Sequence, residues 1–364
     1  MRSMTEKIKF GIVGGGWRAE FYLRIAAAMP ERFEITRMLV RSEEKGAALT
    51  ARWGVPTVRN MEAFVRGRDY AFAVVSVSRS VCPDYIAALT EAGVPVLSET
   101  PPAEGLDELL ALHARLGPDA RVQVAEQYVF QPMHAARLAV VRSGKLGEVS
   151  HAQVSSAHAY HGISLIRQLL GIGFEDAVIR GERFSAPLIG GPGRGGAPES
   201  ETVADSVQDL AIFRFDGGRA AVFDFAKEQY FSWIRSNRLL VRGERGEIKD
   251  DEVRYLADYR TPLRMALTRV DTGHGGNLEG YCHTGVTLGA EWVYRNPFAP
   301  GRLSDDEIAI ATVLARMGEY AEGGPSFYSF AEAAQDHYLS LMMHRALETG
   351  ETVRTEAMPW AIRE

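Results

Sequence analysis

Chemistry is most legible in the stretch KFGIVGGGWRAEFYLRIA, Lys9 to Ala26, where an apolar run meets three consecutive glycines and then resumes with helical spacing. Gly14, Gly16 and Ala19 fit the pattern G-x-G-x-x-A at the junction of a strand and a helix. Each position has a task if the turn holds the pyrophosphate of a dinucleotide. Gly14 permits the tight turn, Gly16 lets the backbone approach the phosphates, and Ala19 keeps the helix against the strand. Amides and dipole at the helix start complement the negative charge. Trp17 and Arg18 fill the two variable positions and are read as contacts of the same ligand. A glycine-rich turn without a ligand is the plainer alternative, and the βα unit that follows favours the dinucleotide.

The ribose of such a ligand falls at the end of the second strand, where an acidic residue serves the 2′-hydroxyl of NAD. Here the text is MLVRSEEK. Val40 stands at or beside the acidic position, and Arg41 and Ser42 follow, offering a cation to a 2′-phosphate. That predicts NADP, with NAD as the alternative; Arg41 as a solvated charge at a strand end is the plainer reading.

Groups able to move a proton occur at the end of the last strand of this half, Glu126 and Tyr128, and in SAHAYHGIS, which holds His158, Tyr160 and His161. Imidazole titrates near neutral pH. A metal is not expected: strand alternation sets His151 and His161 on one face and His158 on the other, and no cysteine or close carboxylate completes a set. His337 and His344, seven residues apart on a helix, read as surface or core residues.

Elements must position these groups. From Lys7 to about Glu126 the strand candidates IKFGIV, FEITRMLV, YAFAVVSV, VPVLSE and RVQVAEQ alternate with helical patterns at Arg18 to Ala28, Ser42 to Trp53, Pro83 to Ala92 and Gly105 to Leu116. Such alternation predicts a doubly wound parallel sheet, a Rossmann domain over residues 1–126. After Pro132 a helix leads to a strand that runs into another helix. From Asp209, DLAIFRFDGG, RAAVFDFAKE, FSWIRSNRLLVRGERG and EIKDDEVRYL are separated by Gly and Asp turns, the pattern of an antiparallel sheet. Two late helices are predicted at Ser304 to Ala321 and Phe330 to Glu348. The expected fold is thus α/β, with a second α/β domain over 127–364 built on a large, mostly antiparallel open sheet. LIGGPGRGGAPES, Leu188 to Ser200, reads as a mobile loop.

The chain has 364 residues, too many for one usual core, so two domains are expected. A net charge of -6 gives phosphate-rich partners no basic surface, which argues against nucleic acid and an anionic membrane. Two cysteines, Cys82 and Cys282, make no disulfide framework. The start MRSMTEKIKFGIVGGG shows no cleavage site, and no stretch is long and apolar enough to cross a bilayer. A cytoplasmic protein is expected.

Four segments in order resemble the glucose-fructose oxidoreductase, inositol dehydrogenase and MocA family (Gfo/Idh/MocA) over nearly the whole chain. GIVGGGWRA opens the first domain, LTEAGVPVLSETPPA resembles the AGKHVLCEKPLA segment, SGKLGEV opens the second domain, and HGISLIRQLLG resembles the HxxDLxxxLxG helix. The resemblance implies oxidation or reduction of a sugar, cyclitol or related small-molecule polyol. It implies a nicotinamide near Glu99 and Pro101, with Ser76, Val77 and Ser78 along the preceding strand end and Gln127 beyond the last strand. It also implies self-association, as a homodimer or homotetramer, through the outer face of the second sheet.

Departures from the family pattern are informative. The lysine of its Glu-Lys-Pro motif is Thr100, the aspartate four residues before the histidine is Ala157, and the aspartate three residues after it is Ser164. His161 remains at the matched position and is the leading proton carrier; a histidine that only packs at a helix start is the alternative. Thr100, Glu126 and Tyr160 complete the catalytic candidates. Two further readings stay open: redox-neutral elimination or epimerisation through transient oxidation by bound cofactor, and a non-catalytic dinucleotide sensor or assembly partner.

Overall fold

Strands that read as unbroken apolar runs are buried on both faces. In the computed structural model, which describes residues 7–117 and 119–361, β1 (Ile8–Val13), β2 (Phe33–Leu39), β3 (Thr57–Val58), β4 (Phe72–Val75), β5 (Val96–Ser98) and β6 (Val122–Val124) form one sheet. The order is β3-β2-β1-β4-β5-β6, and every pairing is parallel. Every residue of β4, β5 and β6 is buried, which removes the polar alternation of a half-exposed strand. The connections carry α1 (Ala19–Ala28), α2 (Glu43–Trp53), α3 (Met61–Val65), α4 (Cys82–Glu91) and α5 (Leu106–Arg115). Strand order reverses between β1 and β4, so the ligand crevice of such a sheet lies outside their carboxyl ends.

The rest of the chain supplies α6 (Pro132–Arg142), β7 (Val149–Ser155), α7 (Ala159–Leu170), β8 (Ala177–Ile189), β9 (Val203–Phe215), β10 (Ala220–Ala226), β11 (Arg238–Gly243), β12 (Gly246–Lys249), β13 (Glu252–Asp258), β14 (Thr261–Thr272), β15 (Cys282–Leu288) and β16 (Glu291–Arg295). Two helices, α8 (Asp305–Ala321) and α9 (Phe330–Thr349), and the short β17 (Val353–Arg354) follow. The second sheet has the order β16-β15-β14-β13-β12-β11-β7-β10-β9-β8-β17. It is mostly antiparallel, with β7 and β10 paired in parallel.

Two compact units emerge. Among the described residues the first comprises 7–132, 270–285 and 295–334, and the second 133–269, 286–294 and 335–361. This differs from a single boundary after Glu126. The reason is packing: α8 lies on α1 and β1, its Gly318 brings the helix backbone close to Ile8, and Glu307 accepts a hydrogen bond from Arg24 Nε at 2.9 Å. A capping box at Ser304 and Glu307 starts that helix.

The glycine- and proline-rich segment needs one correction. Leu188 and Ile189 continue β8, and residues 190–202 form the tip of the β8–β9 hairpin, closed by Gly190 N–H to Thr202 O at 2.8 Å. Alternation along a strand does not apply to the histidines either, because His151 lies on β7 while His161 lies on α7.

Candidate functional site

Within the first unit a cleft of about 530 Å³ opens at the carboxyl ends of β1, β2 and β4. Its floor is the glycine turn. Gly14 has φ +109°, and a Cβ there would stand 2.0 Å from the Ser76 carbonyl oxygen, so the fold itself demands glycine. Gly16 is different. A Cβ there meets nothing within 4 Å, so the space above its backbone is open to a ligand. Gly16 lies three residues before α1, and the start of a helix suits an anionic group such as a pyrophosphate.

The lining joins Trp17 and Arg18 to Arg41 and Ser42 at the end of β2, Ser76, Val77 and Ser78 at the end of β4, and Val81 and Tyr85 at the start of α4. Lys45 also lines it. Sequence reading passed over Lys45, Val81 and Tyr85, although the cap at Ser42 held a signal: Ser42 Oγ accepts from the Lys45 N–H at 3.2 Å, placing Lys45 in the first turn of α2. Among the described residues the cleft is therefore lined by three cations, Arg18, Arg41 and Lys45, and by no carboxylate. Ala19 is buried below the turn and packs rather than lines.

Glu99, Pro101 and Gln127 do not line this cleft. Glu99 is tied to it through Arg18, whose Nε donates to Glu99 Oε1 at 2.8 Å, while the Tyr22 hydroxyl donates to the same oxygen. Asp306 stands 3.8 Å from Arg18 Nη1. Arg18 thus spans from the glycine turn to the end of β5. The Thr100 N–H points to Glu99 Oε2 at 3.4 Å. Glu126, fully buried at the end of β6, accepts the Tyr128 N–H at 2.9 Å. Burial pushes its carboxyl up to about 8, against the pull of that hydrogen bond and of Arg18. Gln127 is buried, and its Oε1 finds no hydrogen-bond partner among the described residues.

Tyr160 and His161 belong to the second unit, on the first turn of α7. This helix is buried on nearly all sides, from Tyr160 to Arg167. Gly162 allows it to sit on β10, since a Cβ there would be 2.5 Å from the Phe223 ring. His161 is 5% exposed. Tyr160 meets its ring edge-on at 5.2 Å, and the ring of His158, at the N-cap of α7, lies 4.7 Å away. Ala157 and Ser164, at the places of the family's aspartates, are completely buried. Among the described residues no three of His, Cys, Asp and Glu gather as a metal-ion site, and no helix is long and apolar enough to cross a membrane.

Residues 8–125 match the GFO_IDH_MocA family, described as an oxidoreductase family with an NAD-binding Rossmann fold. No curated protein sequence matches the chain. Solved structures resemble it over nearly its full length. A levoglucosan dehydrogenase in complex with NADH is similar over 97% of this chain and 100% of its own, at 16% identity and a TM-score of 0.69. A putative myo-inositol dehydrogenase from Sinorhizobium meliloti 1021 is similar over 95% and 99%, at 15% identity and 0.65. An oxidoreductase from Agrobacterium radiobacter, in complex with NAD+, L-tartaric acid and magnesium, is similar over 96% and 98%, at 14% identity and 0.68. At these identities the likeness establishes the fold of both parts of the chain.

Proposed function

The chain carries the NAD-binding Rossmann domain of the Gfo/Idh/MocA oxidoreductase family, and from that premise we propose that it is an NAD(P)-dependent oxidoreductase acting on a hydroxyl or keto carbon of a sugar, cyclitol or related small molecule. The observation that carries the reading is the cleft above Gly16, open over the backbone and lined by three cations without a carboxylate. A dinucleotide, when bound, supplies the hydride acceptor or donor. Gly14 to Arg18 hold its pyrophosphate. Arg41, Ser42 and Lys45 suit a 2′-phosphate, so NADP is preferred over NAD. The substrate class takes support from the levoglucosan and inositol dehydrogenases of the same fold.

Hydride transfer from an alcohol leaves a hydroxyl proton that needs an acceptor. Threonine is too weak an acid or base at neutral pH to replace lysine, so Thr100 orients a hydroxyl or water. Glu99 is engaged by Arg18 and Tyr22, and Glu126 is held protonated by burial. His161 remains as the proton acceptor, with Tyr160 fixing its ring.

Self-association as a dimer or tetramer belongs to the same reading. Phe184 and Ile212 stand exposed on the sheet face opposite the buried Ala211, Phe213 and Phe215. Light scattering at micromolar concentration should give a multiple of the monomer mass. The two free buried thiols, Cys82 and Cys282, suit a reducing, cytoplasmic compartment.

The test is a coupled measurement on purified protein: calorimetric titration with NADPH and NADH, then nicotinamide absorbance with a panel of polyols, sugars and their keto forms. Binding of NADPH together with turnover is expected. Absence of dinucleotide binding would end this reading. Loss of substrate without net change in nicotinamide would replace it by redox-neutral chemistry, and binding with no turnover on any substrate would favour a sensor.

A further inference from the structure

The proposed oxidation sends the C–H electron pair to the nicotinamide as hydride and the O–H proton to His161. That proton must reach water before the next turnover, because a protonated imidazole accepts no other. His161 is only 5% exposed. Its neighbour toward solvent is another imidazole. His158 is exposed at the N-cap of α7, three residues earlier, and its ring centroid lies 4.7 Å from that of His161, with the planes at 54°.

The exposed ring is held in position. The backbone N–H of His158 donates to the Tyr230 hydroxyl at 2.9 Å, and the Tyr230 ring meets the His158 ring edge-on at 6.2 Å. The buried Tyr160 also meets His161, and in turn faces the buried His337 of α9 at 6.3 Å. A phenol titrates near pH ~10 and gives a proton at neutral pH no resting place, whereas two imidazoles exchange one at little cost.

We infer that His158 carries the proton between His161 and water. The inference rests on the role proposed for His161. One proton passes from a His161 ring nitrogen to a His158 ring nitrogen, directly or through one water, and one leaves His158 for water or buffer, so charge balances at each step. His158 acts through His161 and is a positioning and relay residue. In the reductive direction it delivers the proton.

His158→Asn keeps an N-cap residue and the backbone hydrogen bond to Tyr230, so the helix start is preserved. His158→Phe keeps a ring but no titrating nitrogen. Two readouts are needed. Exchange of the His161 ring N–H with water, followed by NMR on histidine-labelled protein, should slow in both variants whether or not a substrate is known. Turnover in dilute buffer should fall by about tenfold with NADPH affinity unchanged, and added imidazole should restore it. Unchanged exchange in His158→Asn, or a loss of turnover that no imidazole concentration repairs, would overturn the relay. If the wild type turns over no substrate, the proposed function fails, and the ring exchange still decides this inference.

Discussion

The cleft of the first unit and the histidine cluster of the second are built by different means. The cleft is a backbone site: its essential feature is a turn where the space beside Gly16 is open, and side chains tune the ends. The cluster is a side-chain site, in which Tyr160 of α7 meets His337, and His158 at the N-cap meets Tyr230, both from distant parts of the chain. A backbone site is most sensitive where a new atom would strain the turn, as at Gly14, or fill the open space, as at Gly16. A side-chain site fails when one group is removed.

The largest expected effect tests the side-chain site. His161→Asn should lower turnover by roughly two to four orders of magnitude, as loss of a general acid or base does, with dinucleotide affinity kept. Near wild-type rates would remove His161 from the chemistry and break the comparison. Next comes the contrast inside the glycine turn. Gly16→Val should weaken NADPH binding by about a hundredfold by occupying the pyrophosphate's approach, with Tm unchanged because no atom beyond the flanking residues lies within 4 Å of a Cβ there. Gly14→Ala should instead cost roughly 3 kcal/mol of stability through backbone strain and the clash with Ser76. Calorimetry and thermal melting separate the two, and a stability loss in Gly16→Val would contradict the open cradle.

Arg41→Ala sharpens the account of the cleft's outer end. Because Arg41 is exposed, the expected loss is modest, about tenfold in NADPH affinity with NADH little affected. Equal losses for both would count against a 2′-phosphate contact.

The smallest effect concerns Glu126. Its folded value of about 8 lies above the ordinary 4.5, so the native state holds a proton that the unfolded chain releases between those values. The stabilisation is complete below 4.5 and is lost as pH rises through about 8. Glu126→Gln keeps the neutral form, so its Tm relative to wild type should climb by a few degrees from pH 5 to pH 8. A constant difference would mean that Arg18 keeps Glu126 ionised.

Much of the fold was legible because its signals are local. The strand-turn-helix at Gly14 and the cap at Ser42 each depend on a few consecutive residues, and the helices around them lie within a residue or two of where their patterns end. Lys45 was overlooked for a related reason: its own type says nothing, and only the helix that starts at Ser42 turns it into the cleft. The short β3 and α3, the long β8 and the strands β14 to β16 were not resolved from the text; in β14 the apolar alternation is confined to Leu263, Met265 and Leu267, and most of the strand is exposed.

By itself, then, the sequence determined a glycine-rich strand-turn-helix and a parallel sheet, for which residue types and short-range sterics suffice, while its resemblance to the family marked Thr100, Ala157 and Ser164 as departures. Tertiary structure alone decided that Arg18 engages Glu99 across 81 positions, that Glu126 is sealed from water, which pushes its carboxyl up, and that α8 joins the first unit. These outcomes depend on desolvation and on pairings between segments far apart in the chain, and no local pattern encodes either.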